Sequence, residues 1–147
     1  MTVNSSRQPN ESFCAPGSRA SFAKTITEAD VTTLAGVTGD FNPLHVDAEF
    51  ARRTRYHQRT AHPMLASGLI SAVLNTRLPG PGTICLSQQI EYLGPIFIGD
   101  TITAEVEVTS WLPEKNLITL RTTCSNQDAR QVITGQAVMM VLKEVMA

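Results

Sequence analysis

A chain of 147 residues is long enough for one domain with a hydrophobic core and too short for two ordinary domains. Its apolar fraction of 42% and charged fraction of 17% are typical of a globular protein, and the net charge of −1 argues against nucleic acid as a partner. No apolar run reaches the ~18 residues of a membrane span, and the first residues lack the apolar segment of a secretory signal.

Residues 1–20 are rich in Ser, Asn, Gln, Pro and Gly without periodicity, which predicts a flexible tail before a single domain of residues 21–147. The domain is expected to open with an extended stretch at residues 21–26 that leads into a helix. Thr27 is placed to cap this helix, with Asp30 three positions on in a capping-box arrangement. Gly39 is placed to end it.

The segment at residues 40–61 has no regular pattern. It holds an Asn42-Pro43 turn signal, a short amphipathic run at residues 46–51 and a basic polar stretch, RRTRYHQR, at residues 52–59. This basic stretch is interpreted as a solvated loop. The alternative is a basic rim that attracts a phosphate-bearing ligand.

Residues 63–77, PMLASGLISAVLNTR, are apolar at helical spacing and predict one long helix. Since the helix is apolar over most of its circumference, we expect other structure to wrap it. Proline suits its first turn, because the N–H that proline lacks has no intrahelical partner there. The sequence LPGPG at residues 78–82 ends the helix.

The rest of the chain reads as strands, at residues 83–93, 101–111, 117–125 and 130–142. Apolar and polar residues alternate strictly in the second and third strands, which is typical of a half-buried antiparallel sheet. Their inward residues are expected to be Ile102, Ala104, Val106, Val108, Ile118, Leu120, Thr122 and Cys124. Gly135 in the last strand suggests a β-bulge. The order predicts an α+β fold with an antiparallel sheet wrapped around the long helix.

One segment carries chemistry, TGDFNPLH at residues 38–45. Asp40 and His45 are separated by the Asn42-Pro43 turn, so their side chains can point into one small space. A carboxylate and an imidazole together can hold a water molecule, and the imidazole can take its proton. The alternative is that Asp40 only caps a turn and His45 is a surface histidine.

This segment, followed by Ala-His-x-Met-Leu at residues 61–65, closely resembles the MaoC-like hydratases. These are the (R)-specific 2-enoyl-CoA hydratases of the hot-dog fold, including those that supply monomers for polyhydroxyalkanoate synthesis. The resemblance covers roughly residues 20–142 and includes Gly80-x-Gly82-Thr83-Ile84 and the segment VITGQA at residues 132–137.

The resemblance implies a fold, an activity and site residues. The long helix is enclosed by the sheet, two subunits pair their sheets, and each active site lies at the dimer interface. Asp40 and His45 orient and deprotonate a water for syn addition to a trans-2-enoyl thioester, which gives the (R)-3-hydroxyacyl product. Asn42 braces the motif. Ser71, on the inward face of the helix, matches a family serine that hydrogen-bonds within the pocket.

Pro63 departs from the family pattern. The family has Ala-His-Gly-Met-Leu here, and the backbone N–H of that glycine binds the thioester carbonyl oxygen, whereas Pro63 has no N–H. Three consequences are open. The N–H of Met64 substitutes at the positive end of the helix dipole, or an unusual acyl group sits differently, or the protein binds acyl thioesters without turning them over efficiently.

Weaker site signals carry their own alternatives. His45, His57 and His62 do not match the spacing of a common zinc site, so no metal is predicted, and His62 is interpreted as an anchor for the loop before the helix. Ser71 is not predicted as a nucleophile, because no G-x-S-x-G elbow surrounds it.

Three functions are therefore weighed. The first is a hydratase, or dehydratase in reverse, of fatty acid or polyhydroxyalkanoate metabolism. The second is a hot-dog thioesterase that directs water at the carbonyl carbon. The third, supported by Pro63, is a non-catalytic acyl-thioester-binding protein.

Cofactors, partners and location follow from the same resemblance. No cofactor is expected, because coenzyme A or carrier-protein phosphopantetheine enters as part of the substrate. The expected partners are an acyl-CoA or acyl-carrier-protein thioester and further copies of the chain, as a homodimer or a higher oligomer, with no nucleic acid or membrane. Three cysteines without a CxxC pair suit reduced thiols in a cytoplasm.

Overall fold

The computed structural model describes residues 14–142, which form four helices and five strands. The helices are α1 (Glu28–Thr38), α2 (Pro43–Val46), α3 (Ala48–Arg52) and α4 (Pro63–Thr76). The strands are β1 (Arg19–Thr25), β2 (Thr83–Tyr92), β3 (Thr101–Leu112), β4 (Leu117–Ser125) and β5 (Gln131–Val141). Among these residues, none of the helices is long and apolar enough to cross a membrane.

The strands form one antiparallel sheet in the order β1-β3-β4-β5-β2. Alternation in β3 and β4 determines which side chains face the core, and all eight residues that the sequence placed inward are buried. The core side of the sheet wraps α4, whose buried residues Ala66, Ile70, Val73 and Leu74 are fully enclosed. The predicted α+β hot-dog arrangement is confirmed.

Gly135 does not mark a bulge, so that prediction is wrong. The strand register runs without a break from Ile133 to Val138, with Gly135 opposite Ile90 on one side and Thr122 on the other. A Cβ atom at this position would lie 2.1 Å from the backbone oxygen of Gln89. Glycine is needed there because two backbones approach closely.

The ordered domain starts earlier than the sequence indicates. Cys14 is buried in the core, the N–H of Gly17 donates to the oxygen of Val108 (2.8 Å), and β1 begins at Arg19. The prediction of a flexible tail is therefore wrong for residues 14–20. Their polar composition suggested a tail, but part of this segment pairs with β3. Residues 1–13 of that predicted tail lie outside the described residues.

The segment between α1 and α4 carries the candidate site. The capping box predicted for α1 is present: the hydroxyl of Thr27 accepts from the N–H of Asp30, and the Asp30 carboxylate accepts from the N–H of Thr27. Gly39 ends α1 in the left-handed conformation with φ 79°, as predicted. The chain then turns back through α2 and α3 and reaches the start of α4.

Candidate active site

The motif at residues 40–45 is a folded turn that holds its own side chains. The carboxylate of Asp40 accepts from the backbone N–H of Asn42 (3.1 Å). The side-chain oxygen of Asn42 in turn accepts from the N–H of Leu44 (3.0 Å) and so caps α2, which has Pro43 at its first position. Asn42 therefore braces the turn locally, and α2 carries His45 back toward Asp40.

His45 is buried, and its hydrogen bonds determine its tautomer. Its Nδ1 lies 2.7 Å from the backbone oxygen of Thr60, which can only accept, so Nδ1 must carry the proton. In the neutral ring, Nε2 then has an unprotonated lone pair. The ring is therefore fixed as a proton acceptor at Nε2.

Three polar side chains converge at this point. A carboxylate oxygen of the exposed Asp40, a ring nitrogen of His45 and a ring nitrogen of His62 all lie within 4.8 Å of one another. His62 is 1% exposed, and its Nε2 donates to the backbone oxygen of Asp40 at 2.9 Å. The rings of His45 and His62 lie against each other, with centroids 4.2 Å apart and planes tilted by 36°. The sequence predicted that His62 anchors the loop before the helix, whereas its side chain hydrogen-bonds the motif.

Arg59 is a supporting residue that sequence reasoning missed. Its Nε donates to the backbone oxygen of His45 (2.7 Å), and its Nη1 pairs with the carboxylate of Glu28 at the start of α1 (2.8 Å). In the sequence, Arg59 belongs to a basic stretch interpreted as a loop. No local pattern separates it from its neighbours, because its partners lie 14 and 31 residues away.

The other arginines of the basic stretch have local or no partners among the described residues. Arg52 pairs with Glu49 on α3, and Arg55 stacks on the ring of Tyr56. Arg53 is exposed beside Phe50 and Thr54, with which it lines a shallow depression. The loop interpretation describes this stretch except at Arg59, and the basic rim remains a hypothesis.

Helix α4 begins at the same cluster. His62 is its N-cap residue and Pro63 its first residue, so the positive end of the helix dipole lies at the convergence of Asp40, His45 and His62. Within residues 14–142, no backbone carbonyl accepts from the N–H of Met64, whereas the N–H of Leu65 donates to the oxygen of His62. The Met64 N–H is thus the first available donor of the helix.

Ser71 does not lie on the inward face of α4, contrary to its predicted placement. The buried face is formed by Ala66, Ile70, Val73 and Leu74, whereas Ser71 is half-buried. Its backbone oxygen and its hydroxyl oxygen both accept from the side-chain amide of Asn75, at 2.9 and 3.2 Å. One turn before Ser71, the Ser67 hydroxyl lies 3.2 Å from that of Tyr92, so this face of the helix looks toward β2.

The three histidines do not gather into one set. His57 is exposed, and its ring lies 3.4 Å from the oxygen of Arg52, away from the other two. Within residues 14–142, Asp40, His45 and His62 form the group that could hold a metal ion. The spacing of the histidines in the sequence did not indicate that Asp40 would join them.

The cluster provides the elements of water activation. A carboxylate oxygen of Asp40 and a ring nitrogen of His45 lie within 4.8 Å of each other. The helix N-terminus beside them presents the N–H of Met64, from which no carbonyl of residues 14–142 accepts. The carboxylate can orient a water, the imidazole can accept its proton, and the helix end favours negative charge on a neighbouring oxygen.

Residues 14–135 of the chain match the family described as MaoC like domain. An (R)-specific enoyl-CoA hydratase of Rhodospirillum rubrum is 50% identical over 125 residues, which cover 85% of this chain and 86% of that protein. A 3-hydroxybutyryl-CoA dehydratase of Methylorubrum extorquens is 44% identical over 121 residues, covering 82% of this chain and 76% of that protein.

The fold is also that of a solved relative. An (R)-hydratase from Aeromonas caviae involved in PHA biosynthesis superimposes with a TM-score of 0.84 at 38% sequence identity. The match covers 86% of this chain and 96% of that one.

Proposed function

The chain belongs to the MaoC-like domain family, and from that premise we propose that it catalyses (R)-specific, reversible hydration of trans-2-enoyl thioesters. The observation that carries the proposal is the pairing of Asp40 with a His45 whose Nε2 is held as a proton acceptor by the carbonyl of Thr60. Relatives at 40–50% identity are named as hydratases or a dehydratase of CoA thioesters.

In the proposed reaction, Asp40 accepts one hydrogen of the bound water and His45 Nε2 removes the other. The water oxygen forms a bond to C3, and the π pair of the C2–C3 bond moves into the thioester carbonyl as an enolate. The proton held by His45 then passes to C2 on the same face, which completes syn addition and restores the neutral imidazole. Dehydration is the same sequence in reverse.

We propose that the N–H of Met64 stabilises the enolate oxygen, because Pro63 offers no donor. Met64 is the second residue of α4, and its N–H has no carbonyl partner among the described residues. The helix dipole favours negative charge at the same point. Ser71, whose hydroxyl oxygen already accepts from Asn75, has its own proton available for a ligand oxygen on the β2 side.

The substrate carrier is proposed to be coenzyme A, since the relatives from Rhodospirillum rubrum and Methylorubrum extorquens are named for CoA thioesters. No separate cofactor is required by the steps above, because the thiol carrier belongs to the substrate. We also propose a cytoplasmic location, which reduced cysteines favour.

A homodimer is proposed from β2. This ten-residue strand is the last of the sheet, and its outer edge has no strand partner within the described part of the chain. Exposed apolar side chains lie along it or just after it, namely Ile84, Leu86, Tyr92 and Leu93. A long apolar edge strand is normally covered, and a second copy of the same edge can pair with it.

The test is the loss of enoyl-thioester absorbance when crotonyl-CoA is mixed with the purified protein. We expect a rapid loss with the wild type, and a decrease in kcat of at least about 100-fold for Asp40→Asn and for His45→Ala, since each removes a proton-handling group. Circular dichroism should show that both variants remain folded.

Two other outcomes would contradict the hydratase. Release of free thiol without formation of a 3-hydroxyacyl product would indicate a thioesterase. Binding of crotonyl-CoA and of longer or branched enoyl-CoAs without loss of absorbance would indicate an acyl-thioester-binding protein. If both variants kept wild-type rates, the assignment of Asp40 and His45 would be wrong.

A further inference from the structure

A residue outside the Asp-Asn-Pro-His motif, His62, contacts both residues proposed as catalytic. Its Nε2 donates to the backbone oxygen of Asp40 at 2.9 Å, and its ring lies against the ring of His45 with centroids 4.2 Å apart. It is the N-cap residue of α4 but makes no side-chain capping bond. Its polar atoms therefore serve the motif and not the helix to which it leads.

The second ring nitrogen of His62 has an unusual environment. Since Nε2 donates to a carbonyl, Nε2 carries the proton and Nδ1 is left with a lone pair. Nδ1 is buried and has no hydrogen-bond partner among the described residues. A buried polar atom without a partner destabilises a protein by roughly 1–3 kcal/mol, which offsets the roughly 0.5–1.5 kcal/mol that the bond from Nε2 contributes. Fold stability alone does not explain the histidine.

The motif needs an external support of this kind. Asp40 is exposed, and its side chain accepts only from Asn42 within its own turn. The hydrogen bonds that reach the motif from residues 59–62 are those of Arg59 and Thr60 to His45, that of the Thr60 N–H to the oxygen of Leu44 and that of His62 to Asp40. Within the described residues, two side chains hydrogen-bond the Asp40 backbone: the hydroxyl of Thr38 accepts from its N–H at 3.1 Å, and His62 donates to its oxygen. Of these two, His62 is the one that reaches the motif from a distant segment.

We infer that His62 is a positioning residue for the hydration reaction: its Nε2–H fixes the backbone of Asp40, and its ring sets the orientation of His45. This inference rests on the proposed function of Asp40 and His45. His62 acts through these residues and does not itself exchange a proton with the substrate. Its one N–H is already bonded to the carbonyl of Asp40, so that nitrogen is not available to a substrate.

The test uses three replacements that separate the two ring nitrogens. In His62→Gln, the amide nitrogen takes the place of Nε2 and keeps a donor to Asp40. In His62→Asn, the shorter amide reaches only the place of Nδ1, and in His62→Phe the ring shape remains without either nitrogen. His57→Asn makes the same change at the other loop histidine, which lies outside the cluster.

We expect His62→Gln to keep kcat for crotonyl-CoA within about fivefold of the wild type. His62→Asn and His62→Phe should lower kcat by about 10–100-fold with KM changed by less than about threefold, the usual effect of losing an orienting partner. The melting temperature of His62→Phe should stay within about 5 °C of the wild type, because loss of the unpartnered nitrogen offsets loss of the bond to Asp40. His57→Asn should match the wild type.

A double variant checks that His62 acts through Asp40. Added to Asp40→Asn, the His62→Asn change should lower the rate by less than about threefold, because residues that act as a unit are not additive. The inference is overturned if His62→Asn keeps the wild-type kcat, if Gln rescues no better than Asn, or if the two losses multiply. Full activity of Asp40→Asn alone would instead contradict the proposed function.

Discussion

At the scale of single residues, the least expected feature of the site is Pro63. It occupies the first position of α4, next to the N-cap residue His62, which belongs to the cluster. Proline fits this position without strain, since the first N–H of a helix has no partner within the helix. It nevertheless removes a donor from the point where the proposed reaction builds negative charge.

We predict that Pro63→Gly and Pro63→Ala both raise kcat for crotonyl-CoA, by about tenfold. The gain should be smaller than the roughly 100-fold or greater loss seen when one oxyanion donor is removed elsewhere, because the N–H of Met64 already supplies a donor. Steady-state kinetics would measure the change. Pro63→Ala is the matched control, since it restores the N–H without the flexibility of glycine. An unchanged or lower kcat in both variants would show that the site already works around proline.

At the scale of elements, the motif depends on how α1 is fixed at both ends. Its N-terminus is capped by the capping box of Thr27 and Asp30. Its C-terminus ends at the left-handed Gly39, and Asp40 follows directly. The carboxylate of Asp30 also pairs with the ammonium of Lys24 on β1 at 2.5 Å, and this hydrogen bond is the main reason that its pKa is lowered from 3.8. The helix is thereby joined to the edge of the sheet.

We predict that Asp30→Ala lowers the free energy of unfolding by about 1 kcal/mol at pH 7, the usual contribution of a cap. Because the folded pKa is lowered, this contribution is present above the unfolded pKa of 3.8 and is lost as pH falls through the folded value. Urea unfolding at pH 7 and pH 3 should show the gap between wild type and variant shrinking in acid. Glu114→Ala, an exposed carboxylate in the turn after β3, is the control. A gap of equal size at both pH values would contradict the linkage.

At the scale of the whole molecule, the two edges of the sheet differ. β1 and β2 are both edge strands, but only β2 combines an uncovered edge with a row of exposed apolar side chains. Ser67 on the half-buried face of α4 reaches Tyr92 at the end of β2, so the face that holds Ser71 opens toward this edge. A second subunit that pairs along β2 would cover this edge of the sheet. The same subunit would also close the acyl site.

We predict that Leu86→Lys weakens the dimer and lowers activity with it, because pairing along β2 would bring a charged ammonium into the interface. Sedimentation velocity at several concentrations would measure the association. Ala23→Lys, at an exposed position on the opposite edge strand β1, is the control and should leave the dimer intact. A wild-type protein that sediments as a monomer at micromolar concentration would contradict the pairing.

Local sequence patterns were sufficient to predict much of this fold. Alternation determined which faces of β3 and β4 are buried, the long apolar run identified the enclosed helix, and the Thr27, Asp30 and Gly39 signals located both ends of α1. Each of these predictions rests on a hydrophobic period or a helix cap that spans only a few residues. Such a signal can be read from a short stretch of sequence without knowledge of the tertiary structure. The motif at residues 38–45 identified the family for the same reason, and the resemblance to that family is confirmed.

The packing of distant segments was needed to show how the site is supported and which way α4 faces. The carbonyl of Thr60 fixes the tautomer of His45, and Arg59 and His62 hold the motif backbone from 14 to 22 positions away along the chain. Ser71 proved half-buried and bonded to Asn75, and Gly135 proved necessary for a close backbone approach and not for a bulge. The periodic elements and the reactive pair were predictable from short stretches of sequence, because they follow from local geometry. The support around the pair is not periodic and exists only once distant segments have packed together.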